Sequence, residues 1–121
     1  MTTLATEHQE QAALIAMCAA LEPQHPELAL LFAIPNGGQR HAAVAARLKA
    51  EGVRAGVPDL CLPVARGKWH ALYLELKVGR NKPTAAQQAW HERLRAQGNA
   101  VVVCYGADQA LTALRRYLGT P

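Results

Sequence analysis

Between Ala5 and Leu21 the apolar residues Leu14, Ile15, Met17, Cys18 and Leu21 recur at three-to-four-residue spacing, which predicts an amphipathic helix. Thr6 is placed to cap it, and Pro23 and Pro26 end it. Leu28 to Ile34 is a short, unbroken apolar run between Pro26 and the Pro35-Asn36-Gly37-Gly38 turn, the pattern of a buried strand. His41 to Glu51 is alanine-rich with Val44 and Leu48 on one face, and Gly52 stands at its C-terminal end. After Gly56-Val57-Pro58, two alternating runs, Asp59–Val64 and His70–Val78, flank a loop containing Gly67 and read as a β-hairpin. Pro83 to Gln97 predicts a helix opened by a Thr84–Gln87 capping box and closed by Gly98. Ala100 to Tyr105 reads as a buried strand. Ala107 to Leu118 reads as a last helix, with Leu111, Leu114 and Leu118 facing inward. The order αβαββαβα predicts one α/β domain over residues 1–121, a mixed sheet packed by helices.

The hairpin concentrates the chemistry. If it pivots on Gly67, Asp59 and Glu75 fall eight residues to either side and lie opposite each other in an antiparallel ladder. Lys77 shares their face, whereas Leu60, Leu62, Val64, Leu72, Leu74 and Leu76 take the other. On a solvated face, Lys77 would merely neutralise Glu75 while Asp59 caps a turn. The functional alternative is a divalent cation held by the two carboxylates, the Leu76 carbonyl and waters, the hard oxygen ligation that Mg²⁺ prefers. Such an ion would activate water and offset charge on a phosphoryl oxygen, with Lys77 beside the nucleophile.

Charge adds a second indication. The net charge is +4, but residues 40–82 hold nine Lys/Arg against three acids, and the remainder is mildly acidic. A basic middle of this kind predicts a face for a polyanion, or else a surface charged for solubility. No apolar run approaches the roughly 20 residues of a membrane helix. The N-terminus lacks the pattern of a secretory signal. Cys18, Cys61 and Cys104 are odd in number and form no C-x-x-C pair, so a reducing cytoplasm fits better than a disulfide framework or a zinc ribbon. The histidines 8, 25, 41, 70 and 91 show no metal-ligand spacing and are expected at the surface.

Pro58-Asp59 followed by Glu75-Leu76-Lys77 forms the signature of the PD-(D/E)xK nuclease superfamily. The surrounding text, Ile34-Pro35-Asn36-Gly37-Gly38-Gln39-Arg40, Leu48-Lys49-Ala50-Glu51-Gly52-Val53 and Thr84-x-x-Gln87-x-x-Trp90 with Leu94 and Gly98, resembles the virus-type replication-repair nuclease (VRR-NUC) domain. Stand-alone versions of that domain occur in phages and bacteria. The resemblance covers about Glu7 to Tyr105 and implies a restriction-endonuclease-like fold. It also implies a Mg²⁺- or Mn²⁺-dependent endonuclease for branched DNA such as Holliday junctions, acting as a homodimer. Nothing in the sequence identifies a helicase that would deliver the substrate.

By position, the resemblance makes Asp59 and Glu75 metal ligands and Lys77 the catalytic lysine. Gln87 becomes the family's helix glutamine near the site, although a capping box alone explains a glutamine there. The family also places a glutamate on the first helix beside the metal. Glu7, with Gln11 one turn later on the same face, is preferred over Glu10, and either can serve simply as an acid at a helix N-terminus. In the glycine-rich turn, Asn36, Gly38 and Arg40 are candidates to contact a phosphate, and Arg80 and Lys82 to contact the DNA backbone. Trp69 at the hairpin tip is a candidate to stack on a base, and Trp90 is expected in the core.

Overall fold

The structure, a computed structural model, describes residues 5–35 and 41–119. The first helix, α1, spans Glu7–Leu21, and Thr6 caps it through a full capping box with Gln9. Leu14 and Cys18 are its buried residues, while Ile15 is 41% exposed. A 3-10 helix, Pro26–Leu30, and a two-residue strand, β1 (Phe32–Ala33), replace the expected long buried strand. Pro26 sits where a helical turn tolerates a missing N–H, and β1 lies at the sheet edge with both residues exposed. An apolar run cannot by itself distinguish a helical turn from a strand.

Helix α2 (Ala42–Ala50) follows, then strands β2 (Leu60–Leu62) and β3 (Leu72–Lys77), helix α3 (Ala85–Ala96), strand β4 (Ala100–Tyr105) and helix α4 (Ala107–Tyr117). The sheet order is β1-β2-β3-β4, with the first two pairings antiparallel and β3–β4 parallel. A parallel pair needs a crossover, and α3 provides it. The expected α/β architecture and element order are present.

One face of the sheet carries the core. Leu60, Leu62, Val64, Leu72, Leu74 and Leu76 pack with Leu14, Cys18, Ala110 and Leu114 from α1 and α4. The alternate positions of β3, Glu75 and Lys77, are also buried, at 1% and 7% exposure, because α3 lies over that second face. Hydrogen bonds from α3 side chains to Glu75 fix this packing. This strand is therefore buried on both sides, and the solvated-face reading of Lys77 fails.

The hairpin keeps the expected register by a different route. Leu60 pairs with Leu74 and Leu62 with Leu72, so Asp59 and Glu75 follow in step. The tip is a two-residue turn, Gly67-Lys68, closed by Arg66 and Trp69. Gly67 has φ 53°, the left-handed conformation favoured at the first position of such turns. Three residues (63–65) on the first arm face two (70–71) on the second, and this one-residue excess restores the register that a symmetric pivot would give.

Gly56 fits α3 onto the loop before β2. Its φ is +92°, and a Cβ there would lie 2.9 Å from the Ala86 carbonyl oxygen and 3.0 Å from Trp90 Cδ1. Gly56→Ala should therefore cost about 2 kcal/mol or more, read as a lower midpoint in a thermal melt. An unchanged midpoint would show that α3 has room to retreat.

Candidate metal and catalytic site

Three elements bring acids to the C-terminal end of β3. Asp59 stands just before β2, Glu75 and Lys77 lie on β3, and Glu7 opens α1. Asp59 Oδ2 accepts a 2.6 Å hydrogen bond from the Leu76 N–H, which ties the two strands beyond the last ladder pair. Within a strand, the N–H and C=O of one residue point to the same edge. The Leu76 carbonyl thus projects past the end of β2, on the Asp59 side.

Glu75 is gripped from α3. Gln87 Nε2 donates to its Oε2 at 3.1 Å, and His91 Nε2 lies 3.3 Å from its Oε1. Gln87 serves two purposes at once. Its Oε1 accepts from the Thr84 N–H in the capping box at 2.8 Å, so its Nε2 is the end left for Glu75. The two sequence readings of Gln87 are compatible because they use opposite ends of one amide.

Burial raises the pKa of Glu75 first. The Asp59 charge and a hydrogen bond with Asp59 add to it, and Glu7 adds a little more. Lys77 pulls the other way, and the result is about 8. Desolvation, with Arg95 and Lys77, lowers the pKa of His91. The imidazole is thus neutral, and its contact with Glu75 is a hydrogen bond rather than an ion pair.

Glu7 and Glu10 part company. Glu10 Oε2 accepts from the Ala107 N–H at 3.4 Å, supplying α4 with a cap that its own Gly106 lacks. Glu7 lines a cleft of about 470 Å³ with Gln11, Ile34, Pro35 and Asp59. Asn36, Gly38 and Arg40 lie outside the described residues. Arg80 and Lys82 are exposed on the segment leaving β3, where Tyr105 Oη donates to the Asn81 carbonyl at 2.8 Å. Trp69 is half-buried, lining a pocket that Leu72, Val101 and Tyr117 also line, instead of standing free at the tip. Trp90 is also half-buried, lining a second, apolar pocket with its ring 5.4 Å from the Arg93 guanidinium carbon.

The VRR-NUC domain model matches residues 5–108. The chain belongs to the VRR-NUC family. A solved structure described as a VRR_NUC domain protein superposes with TM-score 0.81, at 28% identity, over 98% of this chain and 92% of that one. No curated protein sequence matches. The fold of this VRR-NUC domain is accordingly a nuclease-type fold. No described helix is long and apolar enough to cross a membrane.

The residues of this VRR-NUC domain suit a small, hard cation. Burial of Glu75, with half-buried Asp59 beside it, leaves Glu75 holding its proton at neutral pH, and a divalent ion in place of that proton would relieve the repulsion between the two carboxylates. No group of three or more His, Cys, Asp or Glu among the described residues forms a ready metal site. An open pair of carboxylates with a carbonyl alongside is what Mg²⁺, which keeps several waters, accepts. The surface expectation fails for His91, which is 3% exposed. Helical spacing could have found it, because His91 lies one turn from Gln87 on the same face.

Proposed function

We propose that this VRR-NUC domain is a metal-dependent endonuclease that hydrolyses phosphodiester bonds in branched DNA, four-way junctions included, and works as a homodimer. Buried Glu75 and Lys77 beside half-buried Asp59, which lines a cleft together with Glu7, carry this reading. Asp59, Glu75, Glu7 and the Leu76 carbonyl would hold Mg²⁺ or Mn²⁺. When bound, that ion supplies Lewis-acid stabilisation of phosphoryl charge and makes water easier to deprotonate.

The chain's own groups do the rest. Lys77 is held beside Glu75 by burial. Its ammonium hydrogen-bonds the attacking water or a phosphate oxygen, so positive charge meets the negative charge that develops during displacement. Gln87 holds Glu75 in place. Arg80 and Lys82, exposed on the segment leaving β3, contact the DNA backbone, and the sequence makes Asn36, Gly38 and Arg40 further candidates for a phosphate contact. One copy supplies one site. Cutting two strands of a junction takes two copies related by a two-fold axis.

The deciding experiment incubates the protein with labelled four-way junction, flap, duplex and single-stranded DNA and with RNA, with Mg²⁺, Mn²⁺ or EDTA. Metal-dependent cutting of the junction in preference to duplex is expected. Binding without cutting would make the domain a non-catalytic DNA-binding module, and preference for RNA or single strands would overturn the branched-DNA assignment. A mixed dimer of wild type and Glu75→Ala should nick a single strand of the junction.

Backbone tracking carries its own signature. The log of junction affinity should fall against log salt with a slope of roughly −0.9 per contacted phosphate. Arg80→Ala and Lys82→Ala should each reduce that slope by about one. An unchanged slope in both variants would remove this segment from the interface.

A further inference from the structure

Gln87 and His91 stand one helical turn apart on α3 and reach opposite oxygens of the same carboxylate, at 3.1 and 3.3 Å. Gln87 is explained by its cap and its place in the family motif. His91 is explained by neither. A histidine that is 3% exposed on a helix of otherwise exposed or half-buried residues has been turned inward toward one partner, and that partner is Glu75.

Without a grip on both oxygens, the Glu75 side chain has an obvious alternative. Lys77 lies two residues along β3 on the same face, and Glu75 is attracted to it. Rotation toward the ammonium would turn the carboxylate away from Asp59 and occupy the lysine at once. A contact from α3 opposes that rotation from the side away from solvent.

We propose that His91 is a positioning residue for Glu75. It fixes Oε1 so that the carboxylate stays turned toward Asp59 and Lys77 remains available, and it acts on cation binding through Glu75 rather than by touching the cation or DNA. This role rests on the metal-site reading above. Groups hydrogen-bonded to metal ligands typically change metal affinity or activity by about 10–100-fold when removed.

The test compares His91→Gln, whose amide nitrogen reaches about as far as Nε2, with His91→Asn, which is one methylene too short. Both are polar amides that burden the fold alike. Mn²⁺ binding to DNA-free protein is measured by calorimetry, together with the metal-free melting midpoint and with kcat and KM on a junction. His91→Asn should bind Mn²⁺ about 10–100-fold more weakly and lose kcat at unchanged KM, with His91→Gln recovering most of both. Wild-type Mn²⁺ affinity in His91→Asn, whatever its melting midpoint, would overturn the positioning role alone. If wild type and Glu75→Ala take up Mn²⁺ equally or not at all, the metal site itself falls and His91's role falls with it.

Discussion

Glu75→Gln should abolish cleavage and, in metal-free buffer near pH 8, raise the melting midpoint. Loss of a carboxylate proposed to hold the ion should lower kcat by about a thousandfold or more, since electrostatic groups of this kind are worth several kcal/mol in the transition state. DNA binding should persist, because the proposed phosphate contacts lie elsewhere. The gain in stability comes from the same carboxylate. Ionising a group that is 1% exposed beside Asp59 is unfavourable. A glutamine fills that space uncharged, its oxygen accepting from Gln87 and its amide donating to neutral His91. A rise of roughly 5–10 °C corresponds to relief of one to two kcal/mol in a domain of this size. A variant that still cuts would remove Glu75 from the site, and one that melts lower would show that its burial is better compensated than the geometry implies.

The wild-type protein should show the corresponding dependence on pH. Glu75 has its pKa raised in the fold from 4.5 to about 8. In the unfolded chain it ionises near the ordinary value, while the native state keeps the proton to about 8. Unfolding therefore becomes easier as pH rises through that interval, and below it both states are protonated and the effect vanishes. This group's contribution to stability is present in acid and lost by pH 8. A divalent ion must displace the proton, so its affinity should climb over the same interval. Thermal melts at several pH values, with and without Mg²⁺, should show the largest metal-induced shift near pH 8 and almost none near pH 5. Equal shifts at both ends, or a Glu75→Gln variant with the wild-type pH dependence, would contradict this assignment.

Much of this arrangement could be read from residue order. Leucines alternating through both hairpin arms determine which face enters the core, and the opposite face then carries Asp59, Glu75 and Lys77. Thr84 and Gln87 announce where α3 begins. The sequence pattern was silent on what covers the second face, because that depends on how a crossover helix docks. Hence the burial of Lys77 and the inward turn of His91 emerged only in three dimensions. Leu28 to Ile34 misled for a simpler reason. Continuous apolarity has no period, and Pro26 starts a helical turn as readily as it bounds a strand. Glu7 and Glu10 were separable only once α4 was seen to lack a cap of its own.

The asymmetric hairpin sets a rule of parity for the chain. Leu62 and Leu72 are joined by nine residues, three on one arm and two on the other around the turn and its closing pair. Adding or removing one residue there would bring inward-facing positions of one arm opposite outward-facing positions of the other. One strand would have to roll over, exchanging leucines for the acids and the lysine. Changes of two residues preserve the facing. Natural variation in the length of this loop should therefore proceed in even steps, or in odd steps accompanied by a compensating bulge.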